Sequence, residues 1–141
     1  MITNDKGINL IKEFEGCRLK SYLCPAGIWT IGYGHTQGVK PDMVITQLDA
    51  ERFLRQDLKR FEDAISTLVK VSLTPNQFSS LVSFVYNVGI NAFKNSTLLR
   101  KLNQKDYKGA ANELLRWDKV NGKPLLGLTK RRIAEKDLFE N

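Results

Sequence analysis

Apolar positions along the chain fall mostly into runs with helical spacing, interrupted once by a segment of strand character. Residues 4–15 place Ile8, Ile11 and Phe14 on one face, with Asn4 or Asp5 able to cap the start and Gly16 to stop the helix. Gly7 weakens that helix near its beginning. Residues 18–35 then change character: the β-formers Tyr22, Ile28, Trp29, Ile31 and Tyr33 surround Pro25-Ala26-Gly27, which predicts two short strands and a turn. Cys24 precedes a proline and is expected to be extended. Gly32, Gly34 and Gly38 point to tight turns and close backbone approach rather than a long sheet.

The clearest helix follows. Thr46 can cap it, and Leu54, Leu58, Phe61, Ile65 and Leu68 recur at alternating steps of four and three. It should run from about 47 to 69 and measure on the order of 35 Å. Thr74-Pro75-Asn76-Gln77 combines a cap, a first-turn proline and a capping box, opening a helix with Phe78, Leu81, Val82 and Val85 inward and Gly89 at its end. Shorter helices are expected over 95–103 (Leu98, Leu99, Leu102 inward) and 106–117 (Ala110, Ala111, Leu114, Leu115 inward). Asn121–Pro124 reads as a loop, and a last helix over 129–139 carries Ile133, Ala134 and Leu138. The expected architecture is a single domain, 1–141, that is α+β by element order and mostly α by count. A small β-hairpin lobe (about 17–45) and a helical lobe (about 70–141) are joined by the long helix.

Composition narrows the functional classes. The 141 residues carry 22 Lys plus Arg against 15 Asp plus Glu, a formal charge of +7. Such a surface is drawn to polyanions: nucleic acid, anionic membrane or an acidic wall polymer. The polar N-terminus lacks the design of a secretory signal, and no apolar run approaches the about 18 residues that span a bilayer. The expectation is a chain made in a cytoplasm, without stable membrane insertion, that needs another agent to reach anything outside. Two cysteines, Cys17 and Cys24, with one histidine and no clustered ligands predict neither a disulfide framework nor a metal site, and no cofactor is called for. Both thiols are expected to be free, as in a reducing compartment.

Candidate chemistry concentrates between Glu15 and His35, where a carboxylate, a thiol, a hydroxyl and the only histidine lie close in sequence. Taken singly, each has an ordinary reading. Glu15 could be a solvated carboxylate, although a helix C-terminus disfavours negative charge and calls for a nearby cation or a raised pKa. Cys24 could be a small buried hydrophobe and Thr30 a plain strand threonine.

The joint spacing changes this. Glu15, eight residues, Cys24, five residues, Thr30 resembles the catalytic pattern of the bacteriophage lysozymes (endolysins) of glycoside hydrolase family 24, in which the middle position is Asp or Cys. Trp29-Thr-Ile-Gly-Tyr-Gly-His-Thr36, Leu73-Thr-Pro-Asn-Gln-Phe-Ser-Ser-Leu81, Phe84-Val-Tyr-Asn-Val-Gly89 and Arg131-Arg132 followed by Glu135 also resemble family segments, in order along the chain. The resemblance implies a lysozyme-like fold and hydrolysis of the β-1,4 bond between N-acetylmuramic acid and N-acetylglucosamine in peptidoglycan. It implies Glu15 as general acid, Thr30 as holder of the attacking water, and Cys24 in place of the better-known aspartate. An ordinary thiol is mostly neutral at pH 7, which makes Cys24 a weaker electrostatic partner than a carboxylate. Inversion at the anomeric carbon is expected by analogy. His35 and Asp57 match a structural pair, Tyr86, Asn87 and Gly89 are candidate sugar contacts, and Arg131 or Arg132 should supply the cation at Glu15. Trp117 is expected in the core.

Two other classes compete: a basic nucleic-acid-binding module, and an inactive wall-binding relative. The basic residues are scattered rather than concentrated on one face, which speaks against the first. Retention of Glu15 and Thr30 speaks against the second. The expected partner is therefore peptidoglycan and not nucleic acid. The chain is expected to act as a monomer, and to reach the wall through a holin or other membrane lesion.

Overall fold

Asn4 accepts a hydrogen bond from the Gly7 amide at 3.0 Å and starts the first helix, α1 (Asp5–Glu15). The computed structural model describes residues 1–141. Strands β1 (Arg18–Leu23) and β2 (Trp29–Gly32) pair antiparallel, with Tyr22 opposite Thr30 and Leu23 opposite Trp29, and an irregularity between Arg18 and Tyr22. The chain then returns alongside β1, where Ser21 N donates to Met43 O at 2.8 Å and Ile45 N to Leu19 O at 2.9 Å. Helix α2 (Gln47–Leu68) opens with a complete capping box between Thr46 and Asp49. It buries Leu54, Leu58, Phe61 and Ile65, the stripe its sequence spacing predicts.

Helix α3 (Pro75–Val88), with the Thr74–Gln77 capping box, is the centre of the helical part and packs against α1, α2 and the last helix. Phe78, Leu81, Val82, Phe84 and Val85 on it are fully buried and join one continuous core with residues of α1, α2 and the later helices. A helix the sequence did not signal, α4 (Ile90–Lys94), follows at once, with Gly89 ending one helix and starting the next. Then come α5 (Thr97–Asn103), capped by Ser96, and α6 (Tyr107–Leu114), capped by Asp106. Trp117 packs edge-on against Phe84 with ring centres 5.5 Å apart.

Three expectations are corrected. Rather than a loop, residues 121–124 are the turn (Asn121-Gly122) and the second strand of another hairpin, β3 (Lys119–Val120) with β4 (Lys123–Pro124). Asn121 and Gly122 both take positive φ, 53° and 79°, as a two-residue hairpin turn of matching twist requires. Leu115 lies past the end of α6 and is exposed. The last helix, α7 (Leu126–Glu140), starts earlier than its apolar spacing suggests, and Ile133 on it is 47% exposed. The buried face of α7 carries Arg131, Arg132, Glu135, Leu138 and Phe139 instead.

Candidate active site

Glu15 is the last residue of α1, and Gly16 lets the chain leave the helix there with φ 69°. The helix-end carboxylate has its cation: Arg131 Nη1 donates to Glu15 Oε2 at 2.6 Å. Of the two arginines, Arg131 is the one that reaches Glu15. Its guanidinium is fixed by Nε to Glu135 Oε2 at 3.2 Å and by Nη2 to Ser83 O at 3.0 Å. Arg132 points the other way, to Glu135 Oε1, Asn87 Oδ1 and Trp117 O.

Positions 131, 132 and 135 share one side of α7 through three- and four-residue spacing. Here that side faces inward, onto the small Ser80 and Ser83 of α3, which are themselves fully buried. Ser83 Oγ donates to Glu135 Oε2 at 2.6 Å, and Ser80 Oγ to the Glu135 carbonyl at 2.5 Å. Arg131 is 3% exposed, Arg132 1% and Glu135 0%, yet no buried side-chain polar atom lacks a partner. A buried charge group of this kind persists only when fully hydrogen-bonded.

On the hairpin, Thr30 is buried and its hydroxyl donates to Ile28 O at 3.0 Å. Cys24 is half-buried at the turn. The Ile28 backbone, together with the Ala26 and Gly27 backbone and the Thr30 hydroxyl, holds its thiol below the ordinary range; desolvation opposes this and is outweighed. Hydrogen bonding of this kind favours the thiolate over the thiol. Cys17 and Cys24 are free thiols, and Cys17 Sγ lies 3.7 Å from Gln47 Oε1.

Two hollows meet at Glu15, the one residue common to both. The first, of about 360 Å³, is lined by Glu15, Gly34, Thr36, Gln37, Gln56, Asp57, Arg60, Phe61 and Tyr86. The second, of about 420 Å³, is lined by Phe14, Glu15, Asn87, Arg131 and the 125–128 stretch, where Leu126 is 70% exposed. Cys24, Thr30 and Gly89 line neither.

His35 Nδ1 is 2.8 Å from Asp57 Oδ2, and the imidazole stacks on Phe53 with centres 4.4 Å apart, tying the hairpin to α2. Tyr86 donates its hydroxyl to Tyr33 O at 2.7 Å, and burial followed by the charges of Glu15 and Asp57 raises its pKa. Asn87 Oδ1 is engaged by Arg132. No cluster of three or more His, Cys, Asp or Glu side chains is arranged to hold a metal ion.

Several lining residues escaped sequence reasoning. Gln56, Arg60 and Phe61 had a usable signal, since helical spacing puts them on the wall of α2 that carries Asp57. Leu125 and Leu126 had none, because only the packed structure shows which apolar side chains stay outside.

Residues 12–135 match the family model for phage lysozyme. The endolysin of Acyrthosiphon pisum secondary endosymbiont phage 1 is 52% identical, with 100% of this chain and 99% of the relative covered. The endolysin of Bacillus phage B103 is 49% identical, with 99% of this chain but 54% of the relative covered, so the chain spans about half the length of that protein. Among solved structures, the muramidase domain of SpmX from Asticaccaulis excentricus is similar with a TM-score of 0.93 at 41% identity, covering 98% of this chain and 97% of that chain.

Proposed function

The chain belongs to the phage lysozyme family, and from that premise we propose how its residues divide the work of cutting peptidoglycan. It has the lysozyme-like fold and is an endolysin-type muramidase, a glycoside hydrolase acting on the β-1,4 bond between N-acetylmuramic acid and N-acetylglucosamine. Within it we assign Glu15 as general acid, Thr30 as the residue orienting the attacking water, and Cys24 as the group on the opposite side of the sugar. This is the cysteine-bearing version of the glycoside hydrolase family 24 pattern.

The observation that carries the assignment is the position of Glu15. Its Oε2 is held by the buried Arg131, and it alone borders both hollows. A glycan lying through the two would cross Glu15 at the bond between adjacent sugars. The proton passes from Glu15 to the glycosidic oxygen as the C1–O bond breaks, leaving an oxocarbenium-like centre. Water held by Thr30 attacks C1 from the opposite face, and Cys24 as the thiolate accepts its proton or steadies the charge. Inversion is the expected outcome.

His35 with Asp57 braces the hairpin, Arg131 and Arg132 hold the acid's surroundings, and Asn87 lines the hollow on the side facing the sugars, whereas Gly89 ends α3 outside both hollows. The chemistry uses side chains and water only. The same proposal covers residues 1–141 as one catalytic domain acting as a monomer on peptidoglycan, with no nucleic-acid partner. Access to the wall through a holin or other membrane lesion follows the endolysin likeness.

The test is digestion of purified peptidoglycan by wild type and Glu15→Gln, with mass spectrometry of the products. Glu15→Gln should be slower by about 100-fold or more, and the wild-type products should end in reducing muramic acid. Equal clearing by the variant removes the proposed acid, and anhydro-muramic ends replace hydrolysis by lytic transglycosylation.

A further inference from the structure

Tyr33, on the turn after β2, is tied to its surroundings on three sides. Its hydroxyl accepts from Gln47 Nε2 of α2 at 2.8 Å, and its ring lies 5.7 Å from Lys12 Nζ of α1. Its backbone carbonyl accepts from the Tyr86 hydroxyl of α3 at 2.7 Å. The last bond differs in kind from the others. It is the one hydrogen bond that joins residues 16–45 directly to residues 70–141; the remaining ties of the hairpin, His35 to Asp57 among them, run to α2.

The bond also sits beside the proposed acid. Gly34 has φ 94°, and a Cβ on it would lie 3.3 Å from the Tyr86 hydroxyl and 3.5 Å from Glu15 Oε1. The Tyr86 oxygen, the Gly34 backbone and the free carboxylate oxygen of Glu15 thus border one small space, which suits glycine alone. Tyr86 is held rigidly for this contact, its ring edge-on to Phe61 with centres 5.2 Å apart. Its single proton is committed to the Tyr33 carbonyl, so it is not free to donate to a sugar hydroxyl.

From these contacts we propose that Tyr86 is a positioning residue: its hydroxyl latches the hairpin to the helical side of the cleft and sets Thr30 and Cys24 at a fixed distance from Glu15. The hairpin is stiff enough to transmit this. Ile31 and His35 exchange both backbone hydrogen bonds at 2.9 Å, so a shift of the Tyr33 carbonyl moves β2, on which Thr30 lies, with it. Without the latch the hairpin keeps its ties to α1 and α2 but has no hydrogen bond to α3, and can swing away from it. A misplacement of this order costs rate rather than affinity.

The proposal rests on the roles given above to Glu15, Cys24 and Thr30, and its test separates the two. Tyr86→Phe removes the one hydroxyl and keeps the ring. Kinetics on soluble peptidoglycan fragments should show kcat about tenfold lower with KM within about twofold of wild type. Amide hydrogen exchange of the same variant should be about fivefold to tenfold faster at Ile31 and His35, with α3 core amides unchanged. A raised KM with kcat preserved makes Tyr86 a sugar contact and overturns the latch. Unchanged exchange at Ile31 and His35, or unchanged kcat, overturns it equally. Should the wild type fail to cut peptidoglycan, the functional assignment falls while the exchange measurement still reads the latch.

Discussion

At Cys24 the backbone of Ile28, aided by that of Ala26 and Gly27 and by the Thr30 side chain, outweighs desolvation and holds the thiol below its ordinary range. That environment stabilises the thiolate relative to the thiol, so the folded pKa is depressed and the charged form is present from a lower pH than in a free cysteine. Alkylation of Cys24 by iodoacetamide, followed on its own peptide by mass spectrometry, should therefore have a pH midpoint below that of a cysteine in a short peptide. If the thiolate takes part in turnover, activity rises with pH through the same lowered midpoint. Cys24→Asp should then keep activity, and Cys24→Ser should lose about tenfold to 100-fold at neutral pH. Equal activity of both variants would reduce Cys24 to a spacer.

At the scale of an element, α7 departs from the usual rule of apolar inside and charged outside. Ile133 faces solvent while Arg131, Arg132 and Glu135 are buried against the serines of α3. Glu135 is the only acidic group that touches both arginines. Glu135→Ala leaves the buried Arg132 without a counter-charge and Arg131 with Glu15 alone, and should destabilise the protein by about 3–5 kcal/mol. Ile133→Ala, on the opposite face, should fall within about 0.5 kcal/mol. Chemical denaturation of the two variants checks both figures, and the contrast between them is the prediction: periodicity alone would rank them in reverse. Loss of Glu135 should also release Arg131 from its fixed orientation, lowering activity along with stability.

For the whole molecule, the formal charge of +7 matters for the encounter with an anionic wall rather than for the chemical step. The basic residues are scattered along the whole sequence, which favours a long-range field over a docking patch. Between about 0.01 M and about 0.15 M salt the screening length falls from about 30 Å to about 8 Å. Over that range the apparent KM on intact walls should rise several-fold while kcat on small uncharged fragments stays constant. A salt response carried by kcat would place the basic surface in the chemical step instead.

Features that depend on neighbours a turn or two away in the chain are legible in the amino-acid order alone. Thr46 and Thr74 start α2 and α3 because each cap is completed by the residue three positions on. The stripe of α2 is buried because a single period of apolar side chains leaves it one face to bury. The strand–turn–strand run around Pro25-Ala26-Gly27 forms β1 and β2 by local propensity, and the spacing of Glu15, Cys24 and Thr30 marked the family whose model the chain matches. Signals of the same range were overlooked at Asn121-Gly122, whose turn chemistry is that of a hairpin.

Tertiary structure decided the rest, because those choices are made between residues far apart in the chain. Arg131 rather than Arg132 meets Glu15 across 116 positions, and nothing within α7 distinguishes two adjacent arginines until α3 packs against it. The inward turn of the charged face, the two hollows meeting at Glu15 and the bond from Tyr86 to Tyr33 arise the same way. A periodic pattern states how much of a helix will be covered. What covers it, and therefore whether a charge there is solvated, paired or placed beside the proposed acid, follows only from the packing of one element on another.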